Sequence, residues 1–190
     1  MNETPHELIA RARAGEEEAF RMLVEQHSRS VYAVAYRILG DPADAEEAVQ
    51  ETFLRVFRRL DQFEGQARFG TWLYRVAANA ALDLVRKRQR SAGREATIDT
   101  VEGHDRVFVA ATAGPERHAR DAEIEQRVLA AMRRLTPGER AAFTLRHIEG
   151  LSIREICEAL DLQTNAVKNA IFRAVQKMRQ ELSPLAREMS

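Results

Sequence analysis
Four points along the chain carry the signature of a helix beginning, and they leave little room for any other architecture. Thr4-Pro5 followed by Glu7, Asp41-Pro42, Thr136-Pro137 followed by Glu139, and Ser152 followed by Glu155 each set an oxygen-bearing side chain just ahead of a helical run. That oxygen accepts from the open N–H groups of the first turn, and proline at the first helical position gives up an N–H that has no helical partner. Gly15, Gly40 and Gly150 stand where a left-handed residue closes the preceding helix. Between these marks apolar residues recur at helical spacing. Phe20, Leu23, Val24, Val31, Val34, Ala35 and Ile38 form one stripe from Glu17 to Leu39, and Ala45, Val49, Phe53, Val56 and Phe57 form the next. The fold class expected is all-α.

The second half of the chain has the pattern of a helix-turn-helix. Ile124, Val128, Met132 and Leu135 line one helix; Ala142, Phe143, Leu145 and Ile148 line another that ends at Gly150. After Ser152, the residues Ile153, Ile156, Cys157 and Leu160 are expected to point inward, with Asp161 in the turn and Leu162 plugging the gap. Val167, Ala170, Ile171 and Ala174 then back a second helix. Its outer face presents Thr164, Asn165, Lys168, Asn169, Phe172, Arg173, Gln176 and Lys177. Amides suit adenine edges and cations suit guanine or phosphate, the mixture of a major-groove reader. Residues 164–180 hold no acid and four bases.

Residues 91–120 mix glycine, proline, threonine and both charges without sustained periodicity, over a length that compact domains rarely leave as a loop. The organisation expected is two small helical domains, residues 1–90 and 121–190, joined by a flexible linker over 91–120.

Within the first domain the run from Phe63 to Arg90 separates into two faces at about 100° per residue. Leu73, Ala77, Ala80 and Leu84 make a core face; Trp72, Arg75, Asn79, Asp83, Arg86 and Arg90 make another. An aromatic plate, an amide and guanidinium groups on one stripe suit nucleic acid. Gly65 and Gly70 flank a bend in which the rings of Phe63 and Phe69 are expected to stay open to an unpaired base. Taken singly, Trp72 and the phenylalanines read equally well as core. On the preceding helix Glu47, Gln50 and Glu51 share an outer face able to accept from a partner's basic side chains, although that trio alone also suits an ordinary acidic surface.

The formal net charge of zero conceals a division. Residues 1–52 hold eleven acids against five bases, net −6, whereas residues 53–90 hold three against nine, net +6. Basic surfaces alternating with acidic ones suit a protein that meets DNA only within a larger assembly.

The segments FGTWLYRVAANAALDLVRKR, DAEEAVQETFLRVFRRL and LTPGERAAFTLRHIEGLSIREICEALDLQTNAVKNAIFRAVQKM resemble, in order and spacing, three parts of the bacterial extracytoplasmic-function sigma factors of the sigma-70 family. The resemblance implies that Glu47, Gln50 and Glu51 bind core RNA polymerase at the clamp of its largest subunit. It implies that Phe63, Phe69, Trp72, Arg75, Asn79, Asp83, Arg86 and Arg90 read and melt minus-ten DNA. It further implies that Thr164, Asn165, Lys168, Asn169, Phe172, Arg173 and Lys177 read minus-thirty-five DNA, with the second domain also meeting the polymerase beta-subunit flap. Promoter DNA and an anti-sigma factor are the other partners implied. One departure stands out: where the family has a Lys-Ser-Arg step, this chain has Lys168, Asn169 and Ala170, which is expected to remove one arginine contact with DNA.

Other classes find little support. The five histidines are scattered, no glycine loop cradles phosphate, and no catalytic or metal-ligating constellation emerges, so neither an enzyme, a cofactor nor a metal is expected. The lone Cys157 reads as a small residue where two helices approach. No apolar run nears the roughly 20 residues that span a bilayer, and the first residues do not suit a signal peptide, so no membrane insertion and a cytoplasmic location are expected. The competing function is a two-domain helix-turn-helix regulator without a sigma role, which would have no need of the aromatic bend.

Overall fold
The computed structural model describes residues 5–63, 68–91 and 127–188. Among the described residues all the regular structure is helical, and it builds two units. The first contains α1 (Pro5–Arg13), α2 (Glu17–Leu39), α3 (Pro42–Arg59), a short 3-10 turn (Leu60–Gln62) and α4 (Phe69–Ser91). The second contains α5 (127–133), α6 (Pro137–Phe143) running into a π turn (Thr144–Ile148), α7 (Ile153–Leu160) and α8 (Thr164–Glu188). Most of the 91–120 linker, together with Thr4 and Ile124, lies outside the described residues.

The helix-start chemistry operates as the sequence requires. Asp41 Oδ1 accepts from the Asp44 N–H at 2.9 Å. Thr136 and Glu139 exchange bonds of 3.2 and 3.0 Å, and Ser152 and Glu155 exchange bonds of 3.2 and 2.8 Å, closing two capping boxes. Gly40 ends α2 at φ 74°, a conformation that favours glycine because no Cβ meets the following carbonyl.

In the first unit α2, α3 and α4 pack pairwise, with α1 laid on α2. Val31, Val34, Ile38, Val56, Leu73, Ala77 and Leu82 fill the centre and are sealed from solvent. Removing a leucine side chain from such a place costs about 2–5 kcal/mol. In the second, α6 and α7 pack on α8 around Leu135, Leu145, Ile156, Leu160 and Val167. The two units also touch: α2 meets α6, and α4 meets both α6 and α7.

Two expected core residues face solvent instead. Phe57 is 63% exposed, because Ala48 and Thr52 complete the buried stripe of α3 and leave Phe57 on its rim, edge-on to Phe20 at 5.1 Å. Ile148 turns outward because the helix after Phe143 widens to i→i+5 bonding and rotates it off the line of Leu145. Ala170 is 4% exposed and packs inside the second unit, so its position belongs to the core side of α8, and the outer face is carried by Lys168 and Asn169.

Candidate nucleic-acid interface
The core face of α4 is buried as its spacing requires, at Leu73, Ala77, Ala80 and Leu84. The opposite stripe is half-open: Trp72, Arg75, Asn79, Asp83 and Arg86 are partly exposed, and Arg90 is exposed. Amide, ring and cations therefore stand on one accessible face of a helix anchored along its other side.

Gly65 and the bend itself lie outside the described residues, but the two rings beside it differ from expectation. Phe63 and Phe69 are 6% and 9% exposed and belong to the core, so their rings are not open to a base here. They lie edge to face with centroids 5.5 Å apart, both packed against Trp72 at 5.4 and 5.8 Å, and His27 adds a fourth ring against Phe69 at 5.3 Å. Burial holds the His27 imidazole below its ordinary pKa, which favours the neutral ring. The physical reason for the inward turn is area: two phenyl rings left in water would forfeit about 1.5–3 kcal/mol each. Trp72 alone of the three keeps an accessible face, backed by the other two.

The acidic trio of α3 and the last part of the α4 stripe, Asp83 and Arg90, which the sequence assigns to different partners, line the same groove. Gln50, Glu51, Leu54, Asp83, Lys87 and Arg90 are among its walls. Glu47 lies 3.5 Å from Lys87 and 3.8 Å from Arg88, and Arg88 also pairs with the buried Asp44. Arg55 bridges the two helices, donating to Glu51 at 2.6 Å and Asp83 at 2.7 Å. Partial burial works against its charge, but those two bonds outweigh it and hold the guanidinium above its usual range. Asp83 in turn accepts from Arg86 at 2.7 Å. Arg55 escapes a reading by sequence because its partner sits 28 residues away on another helix.

Arg75 has a different neighbour. Its Nε donates to the Glu155 carbonyl at 3.2 Å and its Nη2 pairs with Glu158, both on α7 of the second unit, leaving the side chain 18% exposed. Arg37 of α2 reaches Glu149 at 3.5 Å in a second such contact. Burial raises the Glu149 pKa, and Arg37 offsets part of that rise.

On α8 the expected outer face forms, with Thr164, Asn165, Lys168, Asn169 and Phe172 exposed. Arg173 and Lys177 do not stand free: they donate to the two oxygens of Glu139 at 3.0 and 2.8 Å, offsetting a carboxylate that is 2% exposed. Phe172, 67% exposed, borders an apolar groove with Ile153, Ile171 and Val175, rimmed by Lys168 and Arg179. Such a ring suits a protein partner as well as a thymine methyl. Among the described residues no group of three or more His, Cys, Asp or Glu is placed to hold a metal ion, and no helix is long and apolar enough to cross a membrane.

Comparison with known proteins gives this geometry a setting. Residues 23–91 match the family model of sigma-70 region 2, and residues 125–178 match that of sigma-70 region 4. The chain is similar to the RNA polymerase sigma-H factor of Pseudomonas aeruginosa, with 32% identity over 188 residues, covering 98% of this chain and 97% of that one. It is similar to the ECF RNA polymerase sigma factor SigW of Bacillus subtilis, with 30% identity over 179 residues, covering 93% and 96%. Among solved structures it is similar to CnrH in complex with the cytosolic domain of CnrY, at TM-score 0.60 and 27% identity, covering 93% of this chain and 96% of that one.

Proposed function
The chain belongs to the extracytoplasmic-function group of the sigma-70 family, and from that membership we propose that it directs core RNA polymerase to its promoters by the surfaces described above. A helix-turn-helix regulator without a sigma role is not favoured, since it would not account for the match to region 2. The work is binding rather than chemical catalysis, carried out in the cytoplasm where polymerase and chromosome meet. The first domain, residues 1–90, docks on the largest-subunit clamp through Glu47, Gln50 and Glu51. The second, residues 121–190, reads minus-thirty-five DNA through Thr164, Asn165, Lys168, Asn169 and Phe172, with Arg173 and Lys177 turning to the DNA from their shared partner Glu139, and its apolar groove supports a contact with the beta-subunit flap. Residues 91–120 join the two.

Strand opening rests on α4. Trp72 offers a ring to a base turned out of the non-template strand, with Phe63 and Phe69 as its fixed backing, while Asn79 addresses a base edge and Arg86 and Arg90 hold phosphates. Stacking worth about 1–3 kcal/mol per base offsets much of an unpairing cost of a few kcal/mol. Arg75 is engaged by α7, so its contact with DNA requires the second domain to move away. An anti-sigma protein is a further partner. The exposed Leu54, Phe57 and Phe172 supply apolar surface on both domains for it to cover.

The observation that carries this reading is the half-open stripe of Trp72, Asn79, Arg86 and Arg90 on a helix otherwise locked into its bundle. Run-off transcription with purified core enzyme tests it. Trp72→Ala and Asn79→Ala are expected to lower promoter opening at least tenfold while leaving polymerase affinity intact, and normal opening by both variants refutes the assignment. In a holoenzyme titration Gln50→Ala combined with Glu51→Ala is expected to weaken core binding, and unchanged affinity removes those residues from the docking surface.

A further inference from the structure
Arg55 stands on α3, outside the stripe of α4, yet its guanidinium reaches into that stripe. Its Nε donates to Glu51 Oε1 at 2.6 Å and its Nη1 to Asp83 Oδ2 at 2.7 Å. The other oxygen of Asp83 accepts from Arg86 Nη1 at 2.7 Å. A row of alternating charge, Glu51, Arg55, Asp83 and Arg86, thus runs from α3 across to α4. One carboxylate is divided between two guanidinium groups, an oxygen to each.

That division decides what Arg86 has left to offer. With Arg55 in place, Asp83 is partly neutralised from α3, and Arg86 retains attraction for a phosphate. Without Arg55, the whole charge of Asp83 falls to Arg86, and both carboxylate oxygens become open to the planar fork of that guanidinium. We propose that Arg55 is a positioning residue for promoter binding: by holding Asp83 it keeps Arg86 available to the DNA backbone. Asp83 itself then acts as the shared counter-charge of the two arginines, its contact with DNA being indirect. This inference rests on the reading of α4 as the DNA-facing helix.

The test uses full-length variants at saturating core RNA polymerase, titrated with a short fluorescein-labelled single strand of fixed sequence across a range of salt. The slope of log affinity against log salt counts phosphate contacts, about 0.7 for each on a single strand. Arg55→Ala is expected to flatten the slope by about 0.7, and adding Asp83→Asn to it is expected to restore the wild-type value, because a neutral amide no longer claims Arg86. An unchanged slope in Arg55→Ala overturns the proposal, as does a flattened one that Asp83→Asn fails to restore, which is the result of direct DNA contact or general damage. Should Arg55→Ala not fold, Asp83→Asn alone decides: an equal or steeper slope supports the proposal and a flatter one overturns it. Arg86→Ala separates this inference from its premise. A wild-type slope in Arg86→Ala sinks the reading of α4, whereas a flattened slope there beside a wild-type slope in Arg55→Ala sinks only the role of Arg55.

Discussion
Glu139 does two things at once. Its side chain closes the start of α6 against Thr136, and its two oxygens draw Arg173 and Lys177 of α8 back against the domain. Burial alone would push its carboxyl up; the bonds from Lys177, the Thr136 N–H and Arg173 outweigh that and hold it below the usual carboxylate range. Glu139→Gln is therefore expected to lower stability by about 1–3 kcal/mol at neutral pH. A group whose folded pKa is depressed gives stability above its unfolded pKa and loses it as pH falls through the folded value. The gap between wild type and Glu139→Gln in urea melts should accordingly be full above pH 4.5, the ordinary value, and close below it. Half of this residue was legible in the sequence. The cap is a three-residue spacing and needs no fold to be seen, whereas Arg173 and Lys177 lie 34 and 38 residues away and look, on α8 alone, like two more cations for DNA.

At the level of elements, helical spacing told which way each helix faces but not how wide its buried stripe is. On α3 the periodic set includes both Phe53 and Phe57, yet only Phe53 is enclosed; Phe57 sits one step too far round, on the rim of the buried stripe. Phe53→Ala is expected to cost about 3–5 kcal/mol in thermal or denaturant unfolding. Phe57→Ala should cost no more than about 1.5 kcal/mol, the worth of its edge contact with Phe20. Spacing likewise could not announce the buried ring cluster around Phe63, because whether a ring in a bend turns in or out depends on His27 and Trp72 arriving from other helices. The place of the turn between α7 and α8 was legible, though not its backbone conformation. Asp161 occupies φ 53°, ψ 47°, a left-handed position that a short polar residue tolerates and alanine does not. Asp161→Ala is expected to lower the stability of the second domain by about 1 kcal/mol, with Asp161→Gly close to wild type in the same melts.

For the whole molecule, the division into two helical units followed from the loss of periodicity after Arg90, while their mutual contact had no local signal at all. Arg75 and Glu158 are 83 residues apart, and nothing near either one names the other. Glu158→Arg places like charge against Arg75 and is expected to separate the units, read as a larger radius of gyration in small-angle X-ray scattering with the helical content unchanged. An unaltered radius would mean that the contacts of α2 and α4 with α6 hold the units together without the ion pair.

The same contact has a history written into the order of synthesis. At roughly 5–20 residues per second, a ribosome takes about 4–17 s to travel the 83 residues from Arg75 to Glu158. Through those seconds the newborn first domain can already be folded while the helix that will cover Arg75 does not yet exist. Every molecule therefore begins life open, and closes only when α7 emerges.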